Sequence, residues 1–202
     1  MLNYIYGAGG HGKVVLDAMS TAAMSCAGFI DDKTIAEWFN LNVYRLSELE
    51  LGEAVSFHLA IGNCKVRESI AQKLSVGHFF NVTHPMASIA QTATIGKGCF
   101  IASQSVLAPD SAIGNHCIVN HGAVVDHDCI VGDFSHVAPQ SSLGGGVKIG
   151  KGVLIGSGSV ILPGVTIGDY AVIGAGAVVT KNVHAGVMLV GNPARPIKHS
   201  ES

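Results

Sequence analysis

One histidine of the chain is followed directly by an acidic residue, in the segment Val-Val-Asp-His-Asp at residues 124–128. A carboxylate beside an imidazole raises the basicity of the ring and fixes its tautomer. Such a histidine can take a proton from an amine or a hydroxyl as that group attacks an acyl carbonyl. His127 and Asp128 are therefore candidates for a catalytic pair. The alternative is a histidine at the surface or packed against another subunit.

A metal site is a second chemistry that the ten histidines of the chain could supply. Zinc requires ligands that converge on one point, and the histidines have no recognised ligand spacing. The cysteines are not in a metal-ligand spacing either, which predicts reduced thiols and no metal. They stand at Cys26, Cys64, Cys99, Cys117 and Cys129.

A glycine-rich segment near the N-terminus could bind a phosphate. Gly7, Gly9 and Gly12 form the pattern G-x-G-x-x-G between a predicted strand and a predicted helix, and Asp31 lies where a ribose-binding acid is expected. A helix N-terminus beside glycines can hold a phosphate or a pyrophosphate. Three interpretations are open: nucleotide or nucleotide-sugar binding, a purely structural turn, and NAD binding. The first eighty or so residues are short for a full dinucleotide domain.

Strands and helices alternate around this glycine segment, which predicts a small Rossmann-like α/β domain with a parallel sheet over residues 1–83. Of the three interpretations, we favour nucleotide or nucleotide-sugar binding for this domain. Its predicted strands cover residues 4–6, 27–32, 55–61 and 78–82, and its predicted helices residues 14–24 and 65–74.

A six-residue repeat dominates the rest of the chain. From Ile89 to Val179 every sixth residue is Ile, Leu or Val, and the residue two places before is never larger than valine. Alternate large and small inward residues are typical of a short strand, and the glycines that often follow permit tight corners. Three strands complete a coil of 18 residues, so Cys99 and Cys117 should stack as small core residues. The repeat predicts a three-sided parallel β-helix over residues 84–183, closed by a tail at residues 184–202.

The composition excludes several classes of protein. The net charge of −2 gives no electrostatic footprint for nucleic acid or an anionic membrane. No segment approaches the ~20 apolar residues of a membrane span, and the N-terminus lacks a signal-peptide pattern. We expect a cytoplasmic protein. Because only 13% of the residues are charged, we also expect part of the outer surface to be buried in a cyclic assembly.

These motifs resemble the sugar acetyltransferases typified by the bacillosamine-pathway N-acetyltransferase and the sialic-acid O-acetyltransferases. The resemblance covers essentially the whole chain and implies a left-handed β-helix, a homotrimer, and acetyl-CoA bound in the cleft between adjacent helices. It rests on the repeat together with Tyr6-Gly-Ala-Gly-Gly-His-Gly, Phe29-Ile-Asp-Asp, Ala60-Ile-Gly-Asn with Arg67, Val125-Asp-His-Asp, and Val190-Gly-Asn-Pro-Ala-Arg.

The resemblance also implies residue roles. His127 would be the general base and Asp128 its support, and the Gly145 N–H would face the developing oxyanion. Asn120, about one repeat before His127, is expected to face the same site. The acetyl-CoA site would comprise His136, Gly145, Ser157 and Ala175. The nucleotide-sugar site would comprise Gly9, Gly10, His11, Asp31, Asp32 and Gly62.

The expected function is therefore acetyl-CoA-dependent N-acetylation of a nucleotide-activated amino-deoxysugar for bacterial surface glycan biosynthesis. The substrate would be of the UDP-4-amino-4,6-dideoxy-N-acetylglucosamine type, and the amine would attack directly in a ternary complex. The alternatives are a sialic-acid O-acetyltransferase, a non-catalytic sugar-nucleotide-binding scaffold and an NAD enzyme. The nucleotide base, the acylated position and the acyl length are left open by the residues.

Overall fold

A computed structural model describes residues 1–32, 37–50, 52, 54–74 and 78–197. The N-terminal part is a six-stranded sheet whose strand order is β3-β4-β2-β1-β5-β6. The strands are β1 (Leu2–Tyr6), β2 (Gly28–Ile30), β3 (Glu37–Trp38), β4 (Leu41–Tyr44), β5 (Val55–Leu59) and β6 (His78–Phe79). The helices are α1 (Gly10–Thr21) and α2 (Cys64–Lys73), with a 3-10 turn at Leu46–Glu48. No helix among the described residues is long and apolar enough to span a bilayer.

The predicted parallel α/β arrangement is confirmed for β4, β2, β1, β5 and β6. The antiparallel hairpin of β3 and β4 was not predicted, because its strands are short and have no clear alternation. The hairpin turns at Phe39 and Asn40, whose φ angles are 52° and 59°. Helix α1 buries Val15, Ala18 and Met19 in the apolar core that also contains Ile5 of β1 and Phe29 of β2.

The rest of the chain is a parallel β-helix with three faces, in which each strand pairs with the strand one coil further along. The first face contains β7 (Val82–Thr83), β10 (Phe100–Ile101), β13 (Ile118–Val119), β16 (His136–Val137), β19 (Leu154–Ile155), β22 (Val172–Ile173), β24 (Met188–Val190) and the antiparallel β25 (Arg195–Pro196). The second face contains β8 (Ser88–Ile89), β11 (Val106–Leu107), β14 (Val124–Val125), β17 (Ser142–Leu143), β20 (Val160–Ile161) and β23 (Val178–Val179). The third face contains β9 (Thr94–Ile95), β12 (Ala112–Ile113), β15 (Ile130–Val131), β18 (Lys148–Ile149) and β21 (Thr166–Ile167).

The interior of the β-helix follows the predicted pattern of large and small residues. Ile101, at the large position, is fully buried, and so are Ser105 and Cys117 at the small position. The Ser105 hydroxyl donates to the Ala102 carbonyl at 2.7 Å, which satisfies a polar group that burial would otherwise penalise. Ile89 differs and is 37% exposed, since it belongs to the first coil, which has no coil above it.

The β-helix begins slightly earlier than expected from the sequence. β7 pairs with β10, so Val82 and Thr83 form the first strand of the first face and lie outside the N-terminal sheet. The physical reason is the side chain of Asn81, which donates to the Gly96 carbonyl and accepts from the Cys99 N–H, fixing the chain onto the first coil. Of the predicted tail, β24 extends the first face, and residues 198–202 lie outside the described residues.

Candidate active site

His127 and Asp128 form a hydrogen-bonded pair at the corner between the second and third faces, between β14 and β15. The Nδ1 of His127 lies 2.7 Å from Oδ2 of Asp128, and the two side chains are 61% and 66% exposed. Because an ionised carboxylate only accepts hydrogen bonds, Nδ1 carries the proton and Nε2 is left with a lone pair. Asp128 has a φ of 59°, so the tight corner itself turns its carboxylate towards the ring.

A second carboxylate lies near His127 and contacts its backbone. Oδ1 of Asp126 accepts a hydrogen bond from the His127 N–H at 2.8 Å. The hydrogen bond to Asp128 raises the pKa of His127 most, and the charge of Asp126 raises it further. The arrangement makes His127 a stronger base than a free histidine, as a proton acceptor requires.

Gly145 lies directly beneath His127, one coil further along the same corner. A Cβ placed at Gly145 would stand 2.5 Å from both Cε1 and Nε2 of the imidazole. The Gly146 N–H donates to the His127 carbonyl at 2.8 Å, which joins the two coils at this point. Glycine is therefore the residue that lets the ring lie over the next coil, while the role of the Gly145 N–H towards an oxyanion stays a prediction.

The glycine segment forms an open helix N-terminus at the carboxyl edge of the N-terminal sheet. α1 begins at Gly10 with Gly9 as its N-cap, and no side chain caps it. A Cβ at Gly9, Gly10 or Gly62 would meet no atom within 4 Å, so these glycines border open space. The Ala8 N–H donates to Oδ2 of Asp31 at 2.8 Å. The predicted phosphate-binding turn and the predicted ribose-binding acid therefore lie together, as in other parallel α/β sheets.

Asp32 and Gly62 complete the predicted nucleotide-sugar site on either side of this turn. Asp32 follows Asp31 at the end of β2 and borders an open cleft whose other walls include Arg45 and Ser47. Gly62 follows β5, which lies on the other side of β1 from β2. Because the carboxyl ends of parallel strands meet at one edge, the residues predicted for this site lie along a single edge of the sheet.

The N-terminal domain meets the first face of the β-helix through two histidines. The ring of His11 lies 5.2 Å from Phe100 and 6.5 Å from His136, measured between ring centres. Asn120 donates from Nδ2 to Nε2 of His136 at 3.1 Å, and Nδ1 of His136 donates to the Gly62 carbonyl at 3.3 Å. Burial lowers the pKa of His11 to about 3 and that of His136 to about 4, so both rings are neutral near pH 7.

The residues predicted to bind acetyl-CoA fall in two places. Gly145 lies with His127 at the second–third corner, whereas Ser157 and Ala175 are exposed along the first–second corner, between β19 and β20 and between β22 and β23. His136 lies on the first face beside Asn120. One chain therefore carries the residues of the predicted acetyl-CoA site in separate places on the β-helix, at two different corners and on the first face.

Within one chain, Asn120 lies at the corner between the first and second faces and His127 at the corner between the second and third. That the two residues face one site stays a prediction. About six residues carry the chain around a corner onto the next face, so two residues one repeat apart point in different directions. Asn120 contacts His136, which is 16 residues further along the chain. The repeat spacing that reveals the β-helix thus separates residues that are close in sequence.

Two features of the site were missed in the sequence. Asp126 has no assigned role there, although its position next to His127 could have signalled one. Arg67 was noted only as part of a motif, and it is 1% exposed between the two domains. No sequence signal shows that an arginine will be buried against backbone carbonyls. Within the described residues, no three His, Cys, Asp or Glu side chains are grouped as metal ligands.

Two sequence families match the chain. The PglD N-terminal domain matches residues 4–74. The bacterial transferase hexapeptide family, described as six repeats, matches residues 92–127 and 146–181. The β-helix is therefore the left-handed β-helix of hexapeptide transferases, as the sequence resemblance implied.

Among the proteins similar to the chain are a curated enzyme and two solved structures. UDP-N-acetylbacillosamine N-acetyltransferase of Bacillus subtilis (strain 168) is 35% identical over 106 residues, which are 48% of this chain and 49% of the relative. The match thus spans about half the length of that relative.

Both structures are similar over almost their whole length. The acetyltransferase domain of PglB from Neisseria gonorrhoeae FA1090, in complex with acetyl coenzyme A, has a TM-score of 0.91 and 31% identity over 96% of this chain and 98% of that chain. A mutant of GDP-perosamine N-acetyltransferase from Caulobacter crescentus, in complex with CoA and GDP-perosamine, has a TM-score of 0.92 and 31% identity over 98% of this chain and 97% of that chain.

Proposed function

This chain belongs to the sugar N-acetyltransferases that join a PglD-type N-terminal domain to hexapeptide repeats, and we propose that it transfers acetyl from acetyl-CoA to the amino group of a nucleotide-linked amino-deoxysugar. One observation carries the proposal. The Nδ1 of His127 is hydrogen-bonded to Asp128, and its Nε2 lies over Gly145 in an exposed side chain. This arrangement is suited to a general base.

The reaction is a direct transfer within a ternary complex. The neutral sugar amine attacks the thioester carbonyl, and Nε2 of His127 receives the proton that the nitrogen loses as the C–N bond forms. The C–S bond then breaks, and the departing CoA thiolate takes the proton from the imidazolium. Asp128 stabilises the transient imidazolium through the 2.7 Å hydrogen bond. The products are an amide and free CoA, so the histidine is regenerated in its starting form.

The N-terminal domain positions the nucleotide sugar in this proposal. The phosphates lie at the N-terminus of α1 beside Gly9 and Gly10, and the ribose hydroxyls lie at Asp31 and Asp32. The sugar then extends past Gly62, because the contacts of Gly62 and His11 with His136 make that side of the sheet continuous with the β-helix.

We further propose that the catalytic site forms between copies of the chain in a homotrimer. The second–third corner of one copy would supply His127, and the first–second corner of the next would supply Ser157 and Ala175. Exposed apolar side chains near the His127 corner support an interface there: Ile130, Val160 and Leu162 are 48%, 40% and 39% exposed. Apolar side chains grouped at the surface are typical of contacts between subunits.

A complementation experiment tests this division. His127→Ala removes the base, and Ala175→Trp blocks the proposed acetyl-CoA site, so each variant alone should be inactive. In randomly mixed assemblies, about a quarter of the interfaces would pair an intact His127 with an intact Ala175 from another chain. Recovery of about a quarter of the wild-type rate supports a site built from two copies. No recovery in assemblies shown to be mixed would place the whole site within one chain.

The substrate is tested by incubating the protein with acetyl-CoA and a panel of UDP-, GDP- and CMP-linked amino sugars while free thiol is measured. We propose a UDP-4-amino-4,6-dideoxy-N-acetylglucosamine type of substrate, supported by the similarity to the UDP-N-acetylbacillosamine N-acetyltransferase of Bacillus subtilis. We also propose a role in surface glycan biosynthesis. GDP-perosamine is the matched comparison, since it was bound by the Caulobacter crescentus relative. His127→Ala is the control for thiol release that is not enzymatic.

The alternatives give different results in the same preparation. A sialic-acid O-acetyltransferase would make an ester that mild base removes, whereas the proposed amide survives. A sugar-nucleotide scaffold would bind the nucleotide sugar but not acetyl-CoA in calorimetry, and an NAD enzyme would change nicotinamide fluorescence on titration.

We also propose a cytoplasmic location, supported by five free cysteines and by a substrate pair of cellular metabolites.

A further inference from the structure

Arg67 on α2 connects the two domains from a buried position. Its Nε donates to the His116 carbonyl at 2.8 Å and its Nη2 to the Phe134 carbonyl at 2.6 Å, both in the β-helix. On the other side, Nη1 donates to the carbonyls of Ile61 and Gly62 at 2.6 and 3.3 Å. The guanidinium therefore bonds simultaneously to the loop after β5 and to the β-helix.

The chemistry of these contacts requires arginine in particular. Its donors are fixed in one plane, so several acceptors held at set positions can be satisfied together. Burial lowers the pKa of Arg67, but a guanidinium remains charged throughout the working pH range. A buried cation is costly unless its donors are paired. The carbonyls of both domains therefore have to stay in place around it.

Two of these contacts lie next to candidate site residues. The Gly62 carbonyl accepts from Arg67 and also from Nδ1 of His136. Phe134 and Ser135, whose carbonyls accept from Nη2 at 2.6 and 3.3 Å, directly precede His136. Arg67 thus holds both ends of the contact between Gly62 and His136.

We infer that Arg67 is a positioning residue for the acetyl transfer, which fixes the Gly62 loop of the nucleotide-sugar domain against the strand that carries His136. Through Gly62 it sets where the sugar leaves the N-terminal domain, and through the coil of His136 it sets where the sugar meets the β-helix. This inference rests on the proposed function. It predicts a larger effect on the nucleotide-sugar substrate, whose predicted site includes Gly62, than on acetyl-CoA, whose predicted site shares only His136 with these contacts.

The next residue of α2 provides a matched control. Glu68 also bridges the domains, through Lys151 at 2.6 Å and the Tyr170 hydroxyl at 3.1 Å. These two residues lie at the corner between the third and first faces, and their bonds to Glu68 do not involve Gly62 or His136. Glu68→Gln therefore weakens the attachment of the domains without disturbing the contacts that Arg67 makes.

The experiment compares steady-state kinetics of Arg67→Ala, Arg67→Lys and Glu68→Gln in the full chain. For Arg67→Ala we expect the KM for the nucleotide sugar to rise and kcat to fall, together lowering kcat/KM by roughly tenfold to a hundredfold. The KM for acetyl-CoA should change severalfold less than the KM for the nucleotide sugar. Methylguanidinium in the buffer should restore part of the lost activity, whereas ethylammonium should not. Glu68→Gln should lower Tm and leave both KM values unchanged.

The inference is overturned if a folded Arg67→Ala protein has wild-type kinetics, or if Glu68→Gln reproduces its KM effect. Should Arg67→Ala fail to fold, Arg67→Lys decides, because a compact ammonium does not reproduce the fork of donors. Wild-type kinetics in that variant would also refute the inference.

Failure of the proposed function gives a different result, since the wild-type protein would then turn over no amino sugar. In that case the ¹⁵N spectrum of His136 still tests the positioning. Arg67→Lys should disturb the Nδ1–H tautomer and Glu68→Gln should not, and an undisturbed tautomer in Arg67→Lys would count against Arg67.

Discussion

The imidazole of His127 lies over the Cα of Gly145, so close that a Cβ there would stand 2.5 Å from Cε1 and Nε2. The two residues are 18 positions apart and occupy the same corner on successive coils. The position of the proposed base is therefore determined partly by the coil beneath it, in addition to its hydrogen bond with Asp128.

Gly145→Ala should displace the His127 ring and lower kcat with little loss of stability. Nothing in the backbone conformation of Gly145 disfavours alanine, because its φ is outside the left-handed region. Gly186→Ala is the converse control, since that glycine has a φ of 71° and open space around it. It should lower Tm by strain and leave kcat unchanged. Equal kcat values for Gly145→Ala and wild type would show that the ring position is unimportant.

His127→Ala should lower kcat by roughly 10²- to 10⁴-fold if His127 is the general base. The KM values should change much less, because the side chain acts on the reacting proton and does not anchor either substrate. Initial rates of thiol release measure kcat, and circular dichroism and the oligomeric state establish that the variant is folded. Near-normal turnover would remove His127 from the mechanism.

The pH dependence of kcat/KM should follow the carboxylates beside His127. The base must be neutral, so activity falls as pH drops below the pKa of His127, which Asp128 and then Asp126 raise. Asp128→Asn and Asp126→Asn should lower this pKa and move the acidic limb of the profile to lower pH. Both should reduce kcat less than His127→Ala does. Asp17→Asn, on the exposed side of α1, removes the same charge far from the site and is the control. If the acidic limb of the pH profile lies at the same pH in all variants, Asp126 and Asp128 do not set the pKa of the base.

The folded chain should lose stability as the pH falls from about 6.5 towards 4. Four histidines have lowered pKa values, mainly because they are buried. The pKa is about 3 for His11 and about 4 for His58, His116 and His136. In the unfolded chain these rings titrate near 6.5. Between these values the unfolded state binds more protons, so the free energy of unfolding decreases as pH decreases.

Urea midpoints measured from pH 7.5 to 4.5 check this expectation. His116→Phe is the informative variant, because it retains an aromatic ring against Phe134, where the ring centres lie 4.9 Å apart. Its stability should depend less steeply on pH than that of wild type. A flat profile for wild type between pH 6.5 and 5 would contradict the burial of neutral histidines.

The sequence was most informative where structure is local and periodic. The aliphatic residue at every sixth position predicted both the β-helix and the interior placement of residues such as Ile101 and Cys117. Hydrogen bonding between His127 and Asp128 was predictable for the same reason, since adjacent residues at a tight corner remain close.

Contacts between the two domains were not predictable from these patterns. The acceptors of Arg67 in the β-helix lie 49 to 68 residues away in the chain, and nothing periodic relates α2 to those coils. The Asn120–His136 hydrogen bond also depends on how corners turn the chain in three dimensions. Such contacts arise from packing between units, which leaves little trace in local residue types.

The stacked coils also constrain how the chain length can change. Each coil advances the helix by about one strand spacing, ~4.8 Å, so heights along a corner occur only in whole steps of that size. Inserting six residues between Gly145 and Ser157 would rotate everything beyond the insertion by a third of a turn and move Ser157 and Ala175 to another corner. Inserting a complete coil would keep the corners and change only the height. The height between functional groups along the β-helix therefore changes only in whole coils. Only insertions of 18 residues change it while keeping each group at its corner.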